Sequence, residues 1–367
     1  SPTVTEEEEV LYEFLEEPDI FATLVLIYDS LNDSARRDYV LQMLDAKQVY
    51  SKDANGNLLT YALKNGRHDL ADDVLSNTNN INVSMALSEV LQKYPDGNKK
   101  REHIADLIKT HALAHEDCAV IEKYLTSPSD SIDTKATVIN AAVANGMDVS
   151  LEFVVRNILP VAGNENTLSI LDAYCSKKLV DDDVFRILNF ACTCKDSKTA
   201  VGALDCLKRG NQYVLVPSKT VIAMLSERDL TASDKISILD KLFEFKVEAK
   251  SVEAVMTNYL CFNQDPVATR KEVILYLLDK SPQLPTSTVQ NYVLKCAVDG
   301  NEKPAIVKAI FDKGLNTSFF NELLSKYMNS STDSNEVKAE ITDILSGGGL
   351  KIDPSSFIEY ICGTQAD

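Results

Sequence analysis

The chain has 367 residues, of which 45% are hydrophobic, 7% are aromatic and none is tryptophan, so it can bury a large core. Its 55 acidic and 37 basic side chains give a net charge of −18, which disfavours a nucleic-acid ligand because the phosphate backbone is repelled. The densest basic stretch, residues 98–101, holds only three charges and forms no basic stripe.

The first predicted element is an acidic amphipathic helix over residues 5–17. Four apolar side chains lie on one face of it, which is typical of a helix that caps the open end of a repeat stack. The next apolar run, residues 20–28, is nine residues long and too short to span a bilayer. No charged-then-apolar leader opens the chain, and a leader removed from it would leave the same sequence.

The positions of the cysteines indicate the cellular compartment in which the chain is expected to fold. Most of the eight lie inside apolar helical patterns, where a small hydrophobic residue would fit equally well. This placement favours reduced thiols and an intracellular location, in the cytoplasm or the nucleus. Four asparagines stand in N-x-S/T triplets, which matter only in a secretory lumen. They are Asn32, Asn82, Asn316 and Asn329.

Residues 62–75 bring His68, Asp69, Asp72 and Asp73 within six positions of one another. Such a group is compatible with a metal site or with acid–base chemistry. The favoured interpretation is the solvated outer face of a second helix in a helix-turn-helix repeat, whose apolar side is formed by neighbouring leucine and valine residues. That interpretation requires no chemistry from the four side chains.

The segment that contains this cluster, residues 53–82, resembles an ankyrin repeat. The residues that carry the resemblance are Asp53, Gly56, Ala62, Asn65, Gly66, Val74, Leu75, Ile81 and Asn82. Residues 57–60 read NLLT in place of that family's Thr-Pro-Leu-His. The resemblance implies a stacked α-solenoid with a binding function, and it carries over no catalytic residues.

A second polar group lies at residues 103–118. His111, His115 and Cys118 are spaced i, i+4 and i+7, so they share one helical face and could supply three zinc ligands. A fourth ligand would have to come from another helix, and without it the histidines are ordinary polar-face residues. We expect no metal here and keep a zinc-dependent activity as an alternative.

Regular repeats dominate the second part of the chain. Residues 217–249, 250–284, 285–316 and 317–353 each read as a helix, a polar turn, a second helix and a short exit. Residues such as Ser218 are expected to cap the first helices. Apolar anchors in the second helices recur every 33 to 35 residues, at Leu207, Leu242, Leu277, Ile310 and Ile344.

This periodicity predicts an all-α fold, a right-handed α-solenoid of helix-turn-helix repeats of about 33–35 residues. Residues 1–130 are expected to form capping helices and irregular ankyrin-like repeats. Residues 131–367 are expected to form regular helical hairpins that continue the first part. The junction at 347–361 is similar to pentatricopeptide- or tetratricopeptide-type repeats.

Tyrosines recur inside the first helices, at Tyr259, Tyr292, Tyr327 and Tyr360, spaced 33 or 35 residues apart. The favoured interpretation is a core or inter-repeat position where the ring packs and the hydroxyl finds a neighbour. The alternative is a ladder of tyrosines along a binding groove. Under that alternative, these tyrosines together with Asn258 and Asn291 are the partner-binding candidates.

The sequence contains no G-x-S-x-G, H-E-x-x-H or glycine-rich nucleotide fingerprint. We therefore expect a non-catalytic scaffold or adaptor, of which a host-directed effector is one form. It would use no cofactor and would bind a protein with a basic patch on an extended, concave, acidic surface. The alternatives are single-stranded RNA binding by pentatricopeptide-like repeats and the zinc-dependent activity at the histidines.

Overall fold

The computed structural model describes most of the chain. The described residues are 20–35, 37–38, 58–77, 82–110, 116–247, 249–262, 264–280, 286–294, 300–313, 317–358 and 361–362. The prediction of an all-α fold is confirmed in this part of the chain. The protein divides into two compact units, Ser1–Tyr174 and Cys175–Asp367. The predicted change of repeat regularity at residue 130 lies inside the first unit and stays a prediction.

The described part of the first unit contains nine α-helices, and two pairs of consecutive helices among them pack closely. The nine helices are α1 (Ile20–Ser30), α2 (Leu58–Lys64), α3 (His68–Asn77), α4 (Val83–Lys93), α5 (Asn98–Thr110), α6 (Glu116–Leu125), α7 (Ile132–Ala144), α8 (Leu151–Asn157) and α9 (Leu159–Cys175). Gly163, at φ 71°, interrupts α9 near its start and divides it into two helical pieces. The chain can turn there because glycine has no Cβ.

The second unit continues the same pattern of paired helices. It contains α10 (Asp181–Thr193), α11 (Ser197–Arg209), β1 (Leu215–Val216), α12 (Ser218–Leu225), α13 (Ala232–Phe243), β2 (Lys246–Val247), α14 (Ala249–Phe262), α15 (Val267–Lys280), α16 (Thr286–Leu294), α17 (Lys303–Asp312), α18 (Thr317–Ser330) and α19 (Asn335–Gly347). Two 3₁₀ turns, Gly300–Glu302 and Pro354–Phe357, precede α17 and follow α19.

Each helix of the second unit packs against the helix two places further along the chain. First helices contact first helices in the series α10, α12, α14, α16 and α18, and second helices follow the series α11, α13, α15, α17 and α19. The first unit shows the same packing between α2 and α4, between α4 and α6, and between α5 and α7. This arrangement is compatible with a helical repeat, because each pair buries its apolar face against its neighbours.

The apolar anchors lie in this core. Leu207, Leu242, Leu277 and Ile310 are at most 1% exposed, as the periodicity predicted. At the last anchor the structure buries the next residue, Leu345, while Ile344 is only partly buried. A helix rotates by about 100° per residue, so Leu345 faces the core and Ile344 lies at its margin.

Side-chain caps lie at the starts of several second helices, and Asn82 caps the first helix α4 in the same way. Ser131, Asp196, Thr231 and Ser334 each accept a hydrogen bond from a backbone N–H in the first turn of α7, α11, α13 and α19. The prediction that Ser218 caps a first helix is wrong, because Pro217 occupies the N-cap of α12 and makes no side-chain cap. Each of these side-chain oxygens satisfies one of the backbone N–H groups that have no partner inside the first turn.

The connections between pairs make one short β contact among the described residues. Leu215 and Val216 of β1 pair in parallel with Lys246 and Val247 of β2. Both segments leave a second helix and enter the next first helix, so consecutive connections run in the same direction. The pairing therefore joins two neighbouring repeats without changing the all-α class.

Several predicted features lie outside the described residues, namely the N-terminal helix over 5–17, His111, His115 and Tyr360. Of the helices that are described, none combines the length and the apolar character needed to cross a membrane. Among the cysteines of the described ranges, six are free, whereas Cys261 is disulfide-bonded. The expectation of reduced thiols therefore does not hold at Cys261.

Candidate protein-binding surface

Five of the described second helices bury a cation at one recurring position near their N-terminus. Each cation is at most 6% exposed, and each donates a hydrogen bond to a backbone carbonyl at the end of the first helix in the same pair. The cations are Lys100, Lys235, Arg270, Lys303 and Lys338. They satisfy carbonyl groups that have no partner inside their own helix.

Three of these lysines also pair with a carboxylate in the turn of the following helix pair. Lys303 Nζ lies 2.7 Å from Asp333 Oδ2, and the hydroxyl of Tyr327 donates to the same oxygen at 2.8 Å. We call each set of lysine, aspartate and tyrosine a clasp. The three clasps are Lys100–Asp130–Tyr124, Lys235–Asp265–Tyr259 and Lys303–Asp333–Tyr327.

The lysine amine also lies near the face of the tyrosine ring in each clasp, 5.5 to 6.0 Å from its centroid. Burial, reinforced by the hydrogen bond to aspartate, raises the pKa of Tyr259 and Tyr327 well above its usual range. Burial alone would raise the pKa of Asp333, but hydrogen bonds from Lys303 and Tyr327 hold it below its usual range. In the Lys303–Asp333–Tyr327 clasp, these contacts therefore favour the ionised carboxylate of Asp333 and the neutral hydroxyl of Tyr327.

Two of the recurring tyrosines, Tyr259 and Tyr327, belong to clasps. Tyr259, Tyr292 and Tyr327 are at most 1% exposed, and burial raises the pKa of Tyr292 to about 12. This placement favours the packing interpretation over a binding ladder for the described tyrosines. Asn258 and Asn291 are partly buried on the same first helices. Between these helices, the hydroxyls of Thr257 and Thr288 hydrogen-bond at 2.8 Å, so part of the first-helix surface serves stacking.

Exposed carboxylates of the second unit lie largely on second helices. Several are paired with a lysine of a neighbouring second helix, as Asp240 is with Lys280 and Asp205 with Lys241. On α19, Glu336, Glu340 and Asp343 are exposed and follow the i, i+4, i+7 spacing of one helical face.

We call Glu336, Glu340 and Asp343 the acidic stripe. Within the described part of the chain, none of the three forms an ion pair. Backbone and Ser334 hydrogen bonds at the helix start lower the pKa of Glu336. The stripe is therefore an unneutralised row of negative charge on a second helix. The partner-binding residues predicted from the sequence lie on first helices, so the stripe was not among them.

The connections between helix pairs form a second exposed surface. Val180, Tyr213 and Leu215 are 65%, 69% and 46% exposed, although all three are apolar or aromatic. Of the three, Tyr213 lines a groove of about 410 Å³ between the connection that precedes α10 and the one that follows α11. Exposed aromatic and aliphatic side chains beside a groove are typical of a protein contact.

The histidine–aspartate group of residues 68–73 connects helices. Asp72 accepts a hydrogen bond from Tyr94 at 2.5 Å and lies 2.6 Å from Nε2 of His103, while Asp73 accepts from Tyr28. The prediction that these aspartates lie on a solvated outer face is wrong in this respect. Burial, with the hydrogen bond to Asp72, raises the pKa of Tyr94.

The zinc hypothesis rests on three residues of which only one is described. Cys118 is 8% exposed on α6, whereas His111 and His115 lie outside the described residues. Over the described ranges, no group of three histidine, cysteine or acidic side chains could hold a metal ion. The alternative of a zinc-dependent activity stays a prediction.

No protein-family model matches the chain, and no curated protein matches its sequence. Its function is therefore inferred from its residues and its geometry.

Proposed function

We propose that the chain is a non-catalytic protein-binding scaffold or adaptor in which helix pairs stack as a right-handed α-solenoid within each unit. The packing of alternate helices against one another supports the stacking. In this proposal, the segment at 53–82 is an ankyrin-like pair and the C-terminal pairs are of the tetratricopeptide or pentatricopeptide type. Stacked repeats of this kind present extended surfaces to a partner.

The acidic stripe is the observation that carries the proposal. A row of three exposed carboxylates without lysine partners attracts a protein that carries a basic patch, and the net charge of −18 adds long-range attraction. Lysine and arginine side chains of the partner would pair with Glu336, Glu340 and Asp343. An intracellular scaffold, including one directed at a host protein, would work in this way without a cofactor.

The proposal is tested by association kinetics with a protein recovered by affinity capture. The stripe variant Glu336→Gln/Glu340→Gln/Asp343→Asn removes three negative charges. The control variant Glu152→Gln/Asp312→Asn/Glu322→Gln removes the same charge from carboxylates that are already paired with a basic residue of their own helix.

We expect the stripe variant to associate about tenfold more slowly at low salt and to lose most of its salt dependence. The control should keep both properties of the wild-type chain. Equal association rates for the stripe variant and the wild-type chain would contradict a role for the stripe.

A further inference from the structure

Ion pairs between consecutive second helices run mostly in one direction along the second unit. Four such pairs lie among the described residues, if the C-cap residue of each helix is included. In one of them, Lys208–Glu244, the lysine belongs to the earlier helix. In the other three, the earlier helix supplies the carboxylate and the later helix supplies the lysine, namely in Asp205–Lys241, Asp240–Lys280 and Asp279–Lys313.

Two of these carboxylates occupy the same position of their helices. Asp205 stands nine residues after Asp196, the N-cap of α11, and Asp240 stands nine residues after Thr231, the N-cap of α13. In both helices a buried leucine follows two residues later. This position of a second helix therefore faces the second helix of the next pair.

The next second helix supplies hydrogen-bond donors to this position. The Nζ atom of Lys241 lies 2.9 Å from Asp205, and that of Lys280 lies 3.2 Å from Asp240. The hydroxyl of Tyr276 donates a further hydrogen bond to Asp240 at 2.8 Å. The hydrogen bonds from Tyr276 and Lys280 hold the pKa of Asp240 below its usual range. An ionised carboxylate at this position is thus met by donors from a neighbouring helix.

Asp343 of the acidic stripe occupies the equivalent position of α19. It stands nine residues after Ser334, the N-cap of α19, and the buried Leu345 follows two residues later. Asp343 is exposed, and in the described part of the chain no helix follows α19 in the second-helix series. The outer face of α19 therefore continues a helix-packing surface that the earlier second helices already use.

We propose that the acidic stripe binds a helix of a partner protein, which lies on α19 as each second helix lies on the one before it. A lysine of that helix pairs with Asp343, and further basic side chains meet Glu340 and Glu336, one and two turns away. This contact depends on the proposed function and deepens it, because it gives the basic partner a helical form and one preferred position.

The earlier ion pairs indicate the pattern that such a helix would carry. Lys241 directly precedes the buried Leu242, and Lys280 follows the buried Leu277 by three residues. A helix with the pattern Lys-Leu-x-x-Lys places basic side chains at both of these positions. Its two lysines are four residues apart and lie on one helical face.

Charge, more than apolar packing, would hold the partner helix. On α13, Phe243 packs against Tyr276 of the next second helix, with ring centroids 6.2 Å apart. The equivalent residue of α19 is the exposed Ser346, three residues after Asp343. Without that ring contact, binding depends mainly on exposed ion pairs, so we expect it to weaken steeply as salt is added.

The test uses the full chain at low salt and a fluorescein-labelled, alanine-rich peptide of about 20 residues that carries Lys-Leu-Ala-Gln-Lys twice. Fluorescence polarisation should show saturable binding that weakens about tenfold in Asp343→Asn. Glu336→Gln should weaken it only about twofold or less, because backbone and Ser334 hydrogen bonds already stabilise that carboxylate. The control Asp312→Asn, which changes an exposed carboxylate paired with Lys308, should bind as the wild-type chain does.

A second peptide tests the helical form of the partner. Proline in place of two central alanines keeps every lysine but prevents a continuous helix, so this peptide should bind at least tenfold more weakly. A third peptide carries glutamate in place of each lysine. It should bind Asp343→Lys more tightly than it binds the wild-type chain, which tests the preferred contact by charge reversal.

Three results would overturn the proposal. They are no saturation by the wild-type chain up to about 1 mM, equal binding of the proline peptide, and equal weakening by Asp343→Asn and Glu336→Gln. Any of these would leave the proposed function standing, provided that the stripe variant still slows association with the captured protein. Urea unfolding of each variant checks that it is folded.

Discussion

At the scale of single residues, the clasps are the main stabilising feature that composition does not reveal. A buried lysine is costly unless its charge is paired and its remaining protons are hydrogen-bonded. Lys303 meets both conditions, since it pairs with Asp333 and donates to the carbonyl oxygen of Val293 at 3.0 Å. Removing one member of such a set leaves the other charge buried without compensation.

The first prediction concerns Asp333→Asn. We expect the free energy of unfolding to fall by about 3–5 kcal/mol, because the charge of Lys303 would lose its partner in the core. The control is Asp312→Asn, which removes an exposed i, i+4 pair with Lys308 and should cost about 0.5 kcal/mol or less. Urea unfolding measures both variants, and equal losses would contradict the clasp as described.

The second prediction concerns the free energy of unfolding at acidic pH. The pKa of Asp333 lies below its usual range, and hydrogen bonds from Thr134 and Ser131 lower that of Asp96 to about 2 against the opposing effect of burial. A depressed pKa stabilises the fold at pH above the unfolded-state value of about 4, and this contribution is lost as the pH falls toward the folded-state value.

We therefore expect the stability to be constant from pH 7 to about 5 and to fall between about pH 4 and 2. Urea unfolding at a series of pH values measures how steeply the free energy of unfolding falls with pH. The variant Asp96→Asn should show a smaller slope. A slope that is identical in Asp96→Asn and in the wild-type chain would show that the Asp96 carboxylate does not contribute.

At the scale of elements, the connections need small residues where two repeats approach closely. Gly210 follows α11, and a Cβ built on it would lie 2.2 Å from the carbonyl oxygen of Cys175. Real Cβ atoms do not approach an oxygen so closely, so a side chain here would push the connection away from the preceding pair. By contrast, a Cβ on Gly347 at the end of α19 meets no atom within 4 Å.

The third prediction compares alanine at these two glycines. Gly210→Ala should lower the free energy of unfolding by about 2 kcal/mol or more, because the connection must shift. Gly347→Ala should be neutral or stabilising by up to about 1 kcal/mol, because alanine restricts the unfolded chain and fits the helix end. Thermal unfolding followed by circular dichroism distinguishes them, and a tolerated Gly210→Ala would refute the close approach.

The elements also show which parts of the fold were predictable. Apolar residues recurring every 33 to 35 positions and the glycines after Asn65 and Asn145 predicted the helices and their turns. The buried lysines were missed because a lysine is assigned to the surface by default. The signal was present, since each clasp has an aspartate 30 residues after its lysine and six residues after its tyrosine.

The candidate surfaces were less predictable for a physical reason. Which face of a helix meets solvent depends on the packing of the next pair, and the repeat period alone does not fix it. The sequence favoured packing for the first-helix tyrosines and left a binding ladder as the alternative, whereas in the structure the turns of the same repeats supply aspartates that hydrogen-bond Tyr259 and Tyr327. The acidic stripe was hidden because the spacing of Glu336, Glu340 and Asp343 is that of any polar helix face.

At the scale of the whole molecule, the excess of acidic over basic side chains shapes the choice of partner. Ion pairs between neighbouring second helices neutralise part of this charge, as at Asp240 with Lys280. The acidic stripe stays unneutralised, so a scaffold built in this way would hold a basic partner at that surface.

The most direct test of the central claim is affinity capture from a lysate of the native host, with the full chain as bait. The eluate at moderate salt is analysed for protein by mass spectrometry and for RNA after labelling. We predict a reproducible protein partner with a basic surface, retained by the control variant and depleted with the stripe variant. An eluate dominated by RNA that disappears after nuclease treatment, or partner recovery unchanged by the stripe variant, would contradict the account.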